Sequence, residues 1–200
     1  MEWLTRLSEK NKDLKITYKA FVLEQANFAH ARGEDWKAWE DKSMASRDVP
    51  SLEASKCAEL QGEGLFSKYH VALHRAKHKD GKDITNQLIL RDVAIEAGLD
   101  VDRWEEDMKN GAGIPLLAKD HEEAAGEYGV FGVPTLLFES GNPVFVKLEE
   151  GDWEGTDDEG LLDAVRAASI DRPYLLELKT PESSKRAENA SVKYKKYGGK

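Results

Sequence analysis

A single cysteine, Cys57, is all the thiol in this 200-residue chain. One cysteine excludes an intrachain disulfide, a Cys-x-x-Cys pair within these residues and a cysteine-cluster metal site. Long apolar runs are missing too. No stretch approaches the ~20 apolar residues of a spanning helix, and the start, Met1-Glu2-Trp3-Leu4-Thr5-Arg6, holds no apolar segment of a secretory signal. The expectation is a cytoplasmic chain with no membrane partner. Lys and Arg number 29 against 38 Asp and Glu, a formal net charge of −9. Phosphate neutralisation needs clustered cations, so nucleic acid is not an expected partner. Gly-x-Gly-x-x-Gly, P-loop, Gly-x-Ser-x-Gly and kinase signatures are absent, and nucleotide-binding and α/β-hydrolase readings lose their support.

What is present, 40% hydrophobic and 34% charged residues, suits a globular protein. The length suits one domain with an insertion, or two small ones. Trp3, Leu4, Leu7 and the stem of Lys10 recur at helical spacing, and Asn11-Lys12-Asp13 interrupts them. Leu14 to Phe21 alternates apolar and polar residues, which predicts a strand. Helical periodicity follows from Leu23 to Asp48, with Trp36 and Trp39 on one face. Ser51 then offers an N-cap beside Pro50 for a helix that carries Cys57 and Leu60. A long helix from Leu65 ends at Asp80-Gly81. The next is capped by Asp83 or Thr85 and runs to Gly98, a short one starts at Asp100 or Asp102, and another spans 113–128 with Pro115 in its first turn.

The most specific stretch is Gly129-Val130-Phe131-Gly132-Val133-Pro134-Thr135-Leu136-Leu137-Phe138. It reads as a glycine turn entering an apolar strand with proline at its first position, where no ladder donor is needed. A cis Val133–Pro134 bond there would turn the Val133 carbonyl and the Thr135 amide outward. The turn Ser140-Gly141-Asn142-Pro143 and the strand Val144–Leu148 complete a hairpin. A last helix over 157–169 has Asp157-Asp158-Glu159 at its positive end. Residues 180–200 hold six Lys or Arg against two Glu and read as a basic, mobile tail.

Each chemically capable side chain has a plain structural alternative. Cys57 lies mid-helix, away from a helix N-terminus that would lower its pKa, and reads as a structural cysteine. His70, His74 and His78 share one helix face, but at 1.5 Å per residue the outer pair lie ~12 Å apart. One ion cannot take all three and no Glu completes a His-Glu-x-x-His pattern, so no metal site is expected. Trp36, Trp39, Phe66 and Tyr69 read as core, or as the lining of an apolar cleft.

Taken together, the order is helix, strand, a long helical stretch, proline-led strand, hairpin strand and helix. With Phe21-Val22-Leu23-Glu24-Gln25-Ala26-Asn27, Lys82-Asp83-Ile84 and Tyr128-Gly129-Val130-Phe131-Gly132-Val133-Pro134-Thr135, the chain resembles the DsbA family. That family includes cytoplasmic relatives and the branch of 2-hydroxychromene-2-carboxylate isomerase and kappa glutathione transferase. The resemblance covers residues 2–178. It implies an α/β fold of thioredoxin type with an all-α insertion: 1–22 and 129–178 as the thioredoxin-like domain, 23–128 as the helical insertion, and 179–200 as the tail. It also implies that Phe131, Val133, Pro134 and Thr135 contact substrate, a disulfide-bearing peptide or a small-molecule thiol.

The departure lies at the start. The family's Cys-x-x-Cys, or the serine of its isomerase-like branch, follows a first strand, and both are expected upstream of Met1; no catalytic residue is present. The resemblance then implies thiol–disulfide oxidoreductase chemistry for a complete form and a redox-inactive 200-residue chain. Alternatives are a glutathione-dependent isomerase or transferase, and a non-catalytic peptide or small-molecule binding module. No cofactor is required, glutathione or another low-molecular-weight thiol aside. The first strand is also central to the sheet. Each buried backbone group it leaves unpaired costs about 1–3 kcal/mol, against a domain stability of roughly 5–15 kcal/mol. The expectations are closure of the flanking strands, strand exchange in a homodimer, or a sequence shortened from a longer protein, the last being favoured.

Overall fold

The computed structural model describes residues 2–33, 35–148 and 157–180. Among these residues it has eight α-helices, one π-helical turn and one two-stranded antiparallel sheet. The helices are α1 (Glu2–Lys10), α2 (Leu23–Arg32), α3 (Val49–Glu59), α4 (Glu63–His78), α5 (Gln87–Ala97), α6 (Val101–Asn110), α7 (Ile114–Glu122) and α8 (Asp158–Ile170). The strands are β1 (Thr135–Leu136) and β2 (Val144–Phe145). Two compact units divide the chain, Met1–Val133 and Pro134–Lys200. No helix among the described residues is long and apolar enough to cross a membrane.

In the first unit α3 is the central helix. Ser51, Ala54, Ser55, Lys56, Cys57 and Ala58 are all buried, so it is covered on more than one face, and its small side chains let neighbours come close. Ala54, Cys57 and Ala58 join Tyr69, Leu73, Leu90, Val93 and Trp104 in the main core. The indole N–H of Trp104 donates to the Ala54 carbonyl at 3.0 Å, which satisfies the one polar group that burial would otherwise strand. Gly113, at the entry to α7, sits against this helix. A Cβ there would lie 2.7 Å from the Glu53 carbonyl oxygen and 3.1 Å from Cys57 Sγ. A second cluster packs Ala20, Val22, Ala38, Val49 and Leu117 with Trp36 and Trp39 at its margin.

Several expectations are corrected. The helix expected over 23–48 ends at Arg32, where Gly33 takes φ +110°. Short backbone turns follow, such as Trp36 N–H to the Gly33 carbonyl at 3.1 Å, and side chains reinforce them. The Gln25 amide donates to the Trp36 carbonyl at 3.0 Å and accepts from the Ala38 N–H at 2.7 Å. Glu24 accepts from the Arg47 N–H at 2.9 Å. Ser51 is not the N-cap of α3: the helix starts at Val49 after Asp48, and the Ser51 hydroxyl donates back to the Asp48 carbonyl at 3.0 Å. Neither Asp83 nor Thr85 caps α5; the Asn86 side chain does, accepting from the Leu88 N–H at 2.9 Å. Asp100 caps α6 as expected. The predicted strand over 14–21 is not formed. Leu14, Ile16 and Tyr18 are half-buried and Lys15, Thr17 and Lys19 exposed, a strand-like alternation, but among the described residues no strand pairs with this segment.

In the second unit Thr135 pairs with Phe145 and Leu136 with Val144, a shorter hairpin than the expected 134–138 and 144–148. Two short strands alone are marginal in water, and α8 supports them. The Asn142 N–H donates to the Ser169 carbonyl at 3.0 Å and the Ser169 hydroxyl to the Asn142 carbonyl at 2.6 Å. The helix is capped by Asp157, which accepts from the Gly160 N–H at 2.8 Å. The basic tail expected over 179–200 lies, from residue 181 on, outside the described residues.

Gly113→Ala should lower stability by about 1–3 kcal/mol, because the new methyl meets backbone on α3. Gly64→Ala, with open space around its Cβ position, should leave the chain unchanged or slightly more stable. Urea unfolding of both variants checks this, and an unchanged midpoint for Gly113→Ala would contradict the close approach.

Candidate functional site

Two regions carry the side chains from which function can be built. The first is a buried polar cluster in the first unit. Lys56, on the central helix, is 1% exposed, and Asp120 and His121, on α7, are each 5% exposed. The Lys56 ammonium contacts both the Asp120 and the Glu59 carboxylates and lies 5.3 Å from the centre of the Phe66 ring. Asp120 also accepts from the Ala20 N–H at 2.9 Å and from Lys19 Nζ at 3.1 Å. His121 Nδ1 accepts from the Val22 N–H at 3.1 Å, which fixes the neutral tautomer with its proton on Nε2. Its ring packs on Phe21 and Trp39, with centroids 4.7 and 5.4 Å away. Burial holds the His121 pKa below the usual imidazole value, with Lys37 adding to the effect. Burial also works against the charge on Lys19, but the hydrogen bond and attraction from Asp120, helped by Glu123, outweigh it and raise its pKa.

Two alternate backbone N–H groups, of Ala20 and Val22, are thus satisfied by side chains of α7 and not by a neighbouring strand. Sequence reasoning missed Lys56, Asp120 and His121. The one available signal was the Ser51-Leu52-Glu53-Ala54-Ser55-Lys56-Cys57-Ala58 run, small enough to mark a helix covered on several sides, where a lysine must find a buried partner.

The second region is the loop before the hairpin. Gly129 takes φ +64°, and the Val130 N–H reaches back to the Ala124 carbonyl at 2.9 Å. Phe131 is 73% exposed and Val133 43%, while Gly132 is buried and Pro134 and Thr135 are half-buried. The Pro134 carbonyl accepts from the Val146 N–H at 2.9 Å, and Thr135 sits in β1. Of the four residues expected to contact substrate, Phe131 and Val133, at the end of the first unit, present apolar side chains to solvent. That surface can bind, and its one hydroxyl, on Thr135, is half-buried.

The remaining candidates serve structure. Cys57 is fully buried; burial, with Glu53 adding to it, pushes its thiol up to about 12, so no thiolate forms at neutral pH. His70, His74 and His78 do share a face, with His70 and His74 half-buried and His78 exposed. Tyr18 stacks on His70 at 4.1 Å, with ring centroids at 4.6 Å from His70 to His74 and 5.6 Å on to His78. Burial and the adjacent imidazole press the His70 pKa down to about 3, and likewise His74 to about 4. No group of three potential metal ligands converges among the described residues. Of the four aromatics expected in core or cleft, Tyr69 is in the core, Trp36 and Trp39 flank the second cluster, and Phe66 lines a groove of about 490 Å³ with Ile16, Tyr18 and Glu63.

The family model described as a DSBA-like thioredoxin domain matches residues 2–165, and the chain belongs to that family. Among curated proteins it is similar to the ClpXP adapter protein SpxH of Bacillus licheniformis, with 30% identity over 112 residues, or 56% of this chain and 35% of that protein. The chain thus matches about a third of that relative's length.

Two outcomes test this account. Asp120→Ala leaves the Lys56 ammonium with Glu59 alone and strands the Ala20 N–H, and should cost about 1–3 kcal/mol in urea unfolding; a loss under about 0.5 kcal/mol would show the cluster to be dispensable. The low histidine pKa values mean that the unfolded chain takes up protons before the folded one does. The stability due to neutral His70 and His74 is therefore complete above about pH 6.5 and is lost as pH falls toward 4. Between pH 6 and 5 the slope should reach about 1.4 kcal/mol per pH unit for each histidine. A His70→Gln/His74→Gln variant should lose most of that slope; an unaltered slope would refute the assignment.

Proposed function

We propose that this chain belongs to a thiol–disulfide-handling protein of the cytoplasm and that its own contribution is substrate holding, not redox chemistry. In this reading Phe131 and Val133 supply apolar contact to a disulfide-bearing peptide or small-molecule thiol. A cis Val133–Pro134 bond and the Thr135 amide orient it. Residues 1–22 with 129–178 act as the thioredoxin-like part and 23–128 as the helical insertion. The family match over residues 2–165 is the observation that carries the reading. The burial of Cys57, with a thiol at about 12, supports redox inactivity, since disulfide exchange needs a thiolate that can reach a sulfur.

A second reading, a non-catalytic binding module, is favoured by the similarity to a protein named as a ClpXP adapter. In that case the same exposed loop recognises a partner protein and no sulfur chemistry takes place. Insulin reduction by dithiothreitol in the presence of the chain separates activity from inactivity. The expected rate is that of dithiothreitol alone, and catalysis abolished by Cys57→Ser would overturn the proposal. Phe131→Asp should weaken capture of a disulfide-bearing peptide at least severalfold under the first reading and leave it unchanged under the second.

A further inference from the structure

Beyond Glu122, α7 runs on into a π-helical turn, Glu123–Glu127. The Tyr128 N–H donates to the Glu123 carbonyl at 3.4 Å and the Val130 N–H to the Ala124 carbonyl at 2.9 Å. Each bond reaches one residue further back than its α-helical counterpart. The first replaces the ordinary helical bond; the second replaces the closing bond of a helix that ends on a left-handed glycine, here Gly129 at φ +64°. One residue more than an α-helix needs is therefore taken up between α7 and the loop. Such single turns are rare and occur frequently at functional sites. The local residues do not ask for one. Ala124 and Ala125 favour the α-helix, and none of the five residues is buried, so no buried side chain of the turn holds it open.

Its two ends are fixed instead. Before it, the Asp120 and His121 side chains accept from the Ala20 and Val22 N–H groups, which sets the rotation of α7 about its own axis. Glu123 faces Lys19 at 3.5 Å. After it, Val130 is buried. An added residue turns everything that follows by about 100° about the helix axis and carries it about 1.5 Å along, and so reconciles the two ends. We propose that this residue is a register device for the loop: it sets the direction in which Phe131 and Val133 leave the helical body, and with it the affinity for a disulfide-bearing peptide. The inference rests on the reading of those two side chains as substrate contacts. The turn touches no substrate; its residues act through Phe131 and Val133, as positioning residues. Gly126 is where the register can be altered, since it is exposed, takes no left-handed φ and has open space at its Cβ position.

The test deletes Gly126 from the full 200-residue chain and, in a second variant, inserts one alanine after it. Gly126→Ala restores the length with a different side chain. NMR reads how far the Phe131 ring and the Val133 methyls are exposed to a soluble paramagnetic agent, and calorimetry reads binding of the oxidised peptide Ac-Cys-Ala-Phe-Ala-Cys-NH2. Deletion and insertion should each change the exposure of both side chains while the signals of Trp39, packed on His121, stay in place. Binding should fall about tenfold in both, and Gly126→Ala should restore it. A deletion or insertion variant that binds within about twofold of the unaltered chain would overturn the proposal. So would loss of binding in Gly126→Ala, since the glycine and not the register would then matter. Phe131→Asp separates the two layers of the argument. If it binds as well as the unaltered chain, the reading of the loop fails and the claim on affinity with it, whereas unmoved Phe131 and Val133 signals overturn the register device itself.

Discussion

The carboxylate of Asp120 ties α3, α7 and the segment before α2 together beside the apolar cluster of Ala20, Val22, Val49 and Leu117 that they share. It is buried, and an unpaired buried charge is not tolerated, so its surroundings must supply a cation and further donors. The cation comes from Lys56 on the central helix, and the donors are Lys19 and the Ala20 N–H from the segment before α2. Such a pair adds little net stability compared with apolar residues of the same volume, yet breaking it by removing one partner is costly. Its effect is therefore geometric: α3, α7 and residues 19–22 can pack only in the arrangement that brings these groups together. His121, one residue on, repeats the device with the Val22 N–H.

That constraint explains what becomes of the one thiol. Lys56 must point toward Asp120, and Cys57, its neighbour on a helix, therefore points elsewhere, into the cluster of Ala54, Tyr69, Leu90 and Trp104. Gly113 closes over it because nothing larger fits against the Glu53 carbonyl. In that environment the thiol behaves as a small apolar group. Among the apolar residues that face solvent are Phe131 and Val133, on the loop before the hairpin, where a binding role is chemically open.

Much of this was legible in advance. The stretch from Tyr128 to Thr135 pointed to the family, and helix ends marked by Gly98, Asp100 and Pro115 fall where the residues predict. Two readings failed for identifiable reasons. Residues 33–48 carry apolar residues at helical spacing, but Gly33 stops α2, and Gln25, Glu24 and Asp41 offer the backbone side-chain partners that compete with a helix. Leu14 to Phe21 keeps a strand's alternation of burial, yet a strand is defined by its neighbour, and alternation in one segment says nothing of whether a neighbour is there.

The sequence by itself determined the local elements, the family and the scarcity of thiol, because caps, glycine stops, periodicity and composition act within a few residues of one another. Only the tertiary structure decided that Lys56 would be buried, that Cys57 would be inert and that α7 side chains would satisfy the backbone at Ala20 and Val22. Those partners lie about a hundred residues apart, at separations of 100 for Ala20 and Asp120 and 99 for Val22 and His121. Contacts at such range leave no periodic trace in the chain, since they arise from packing buried polar groups so that each one finds a partner.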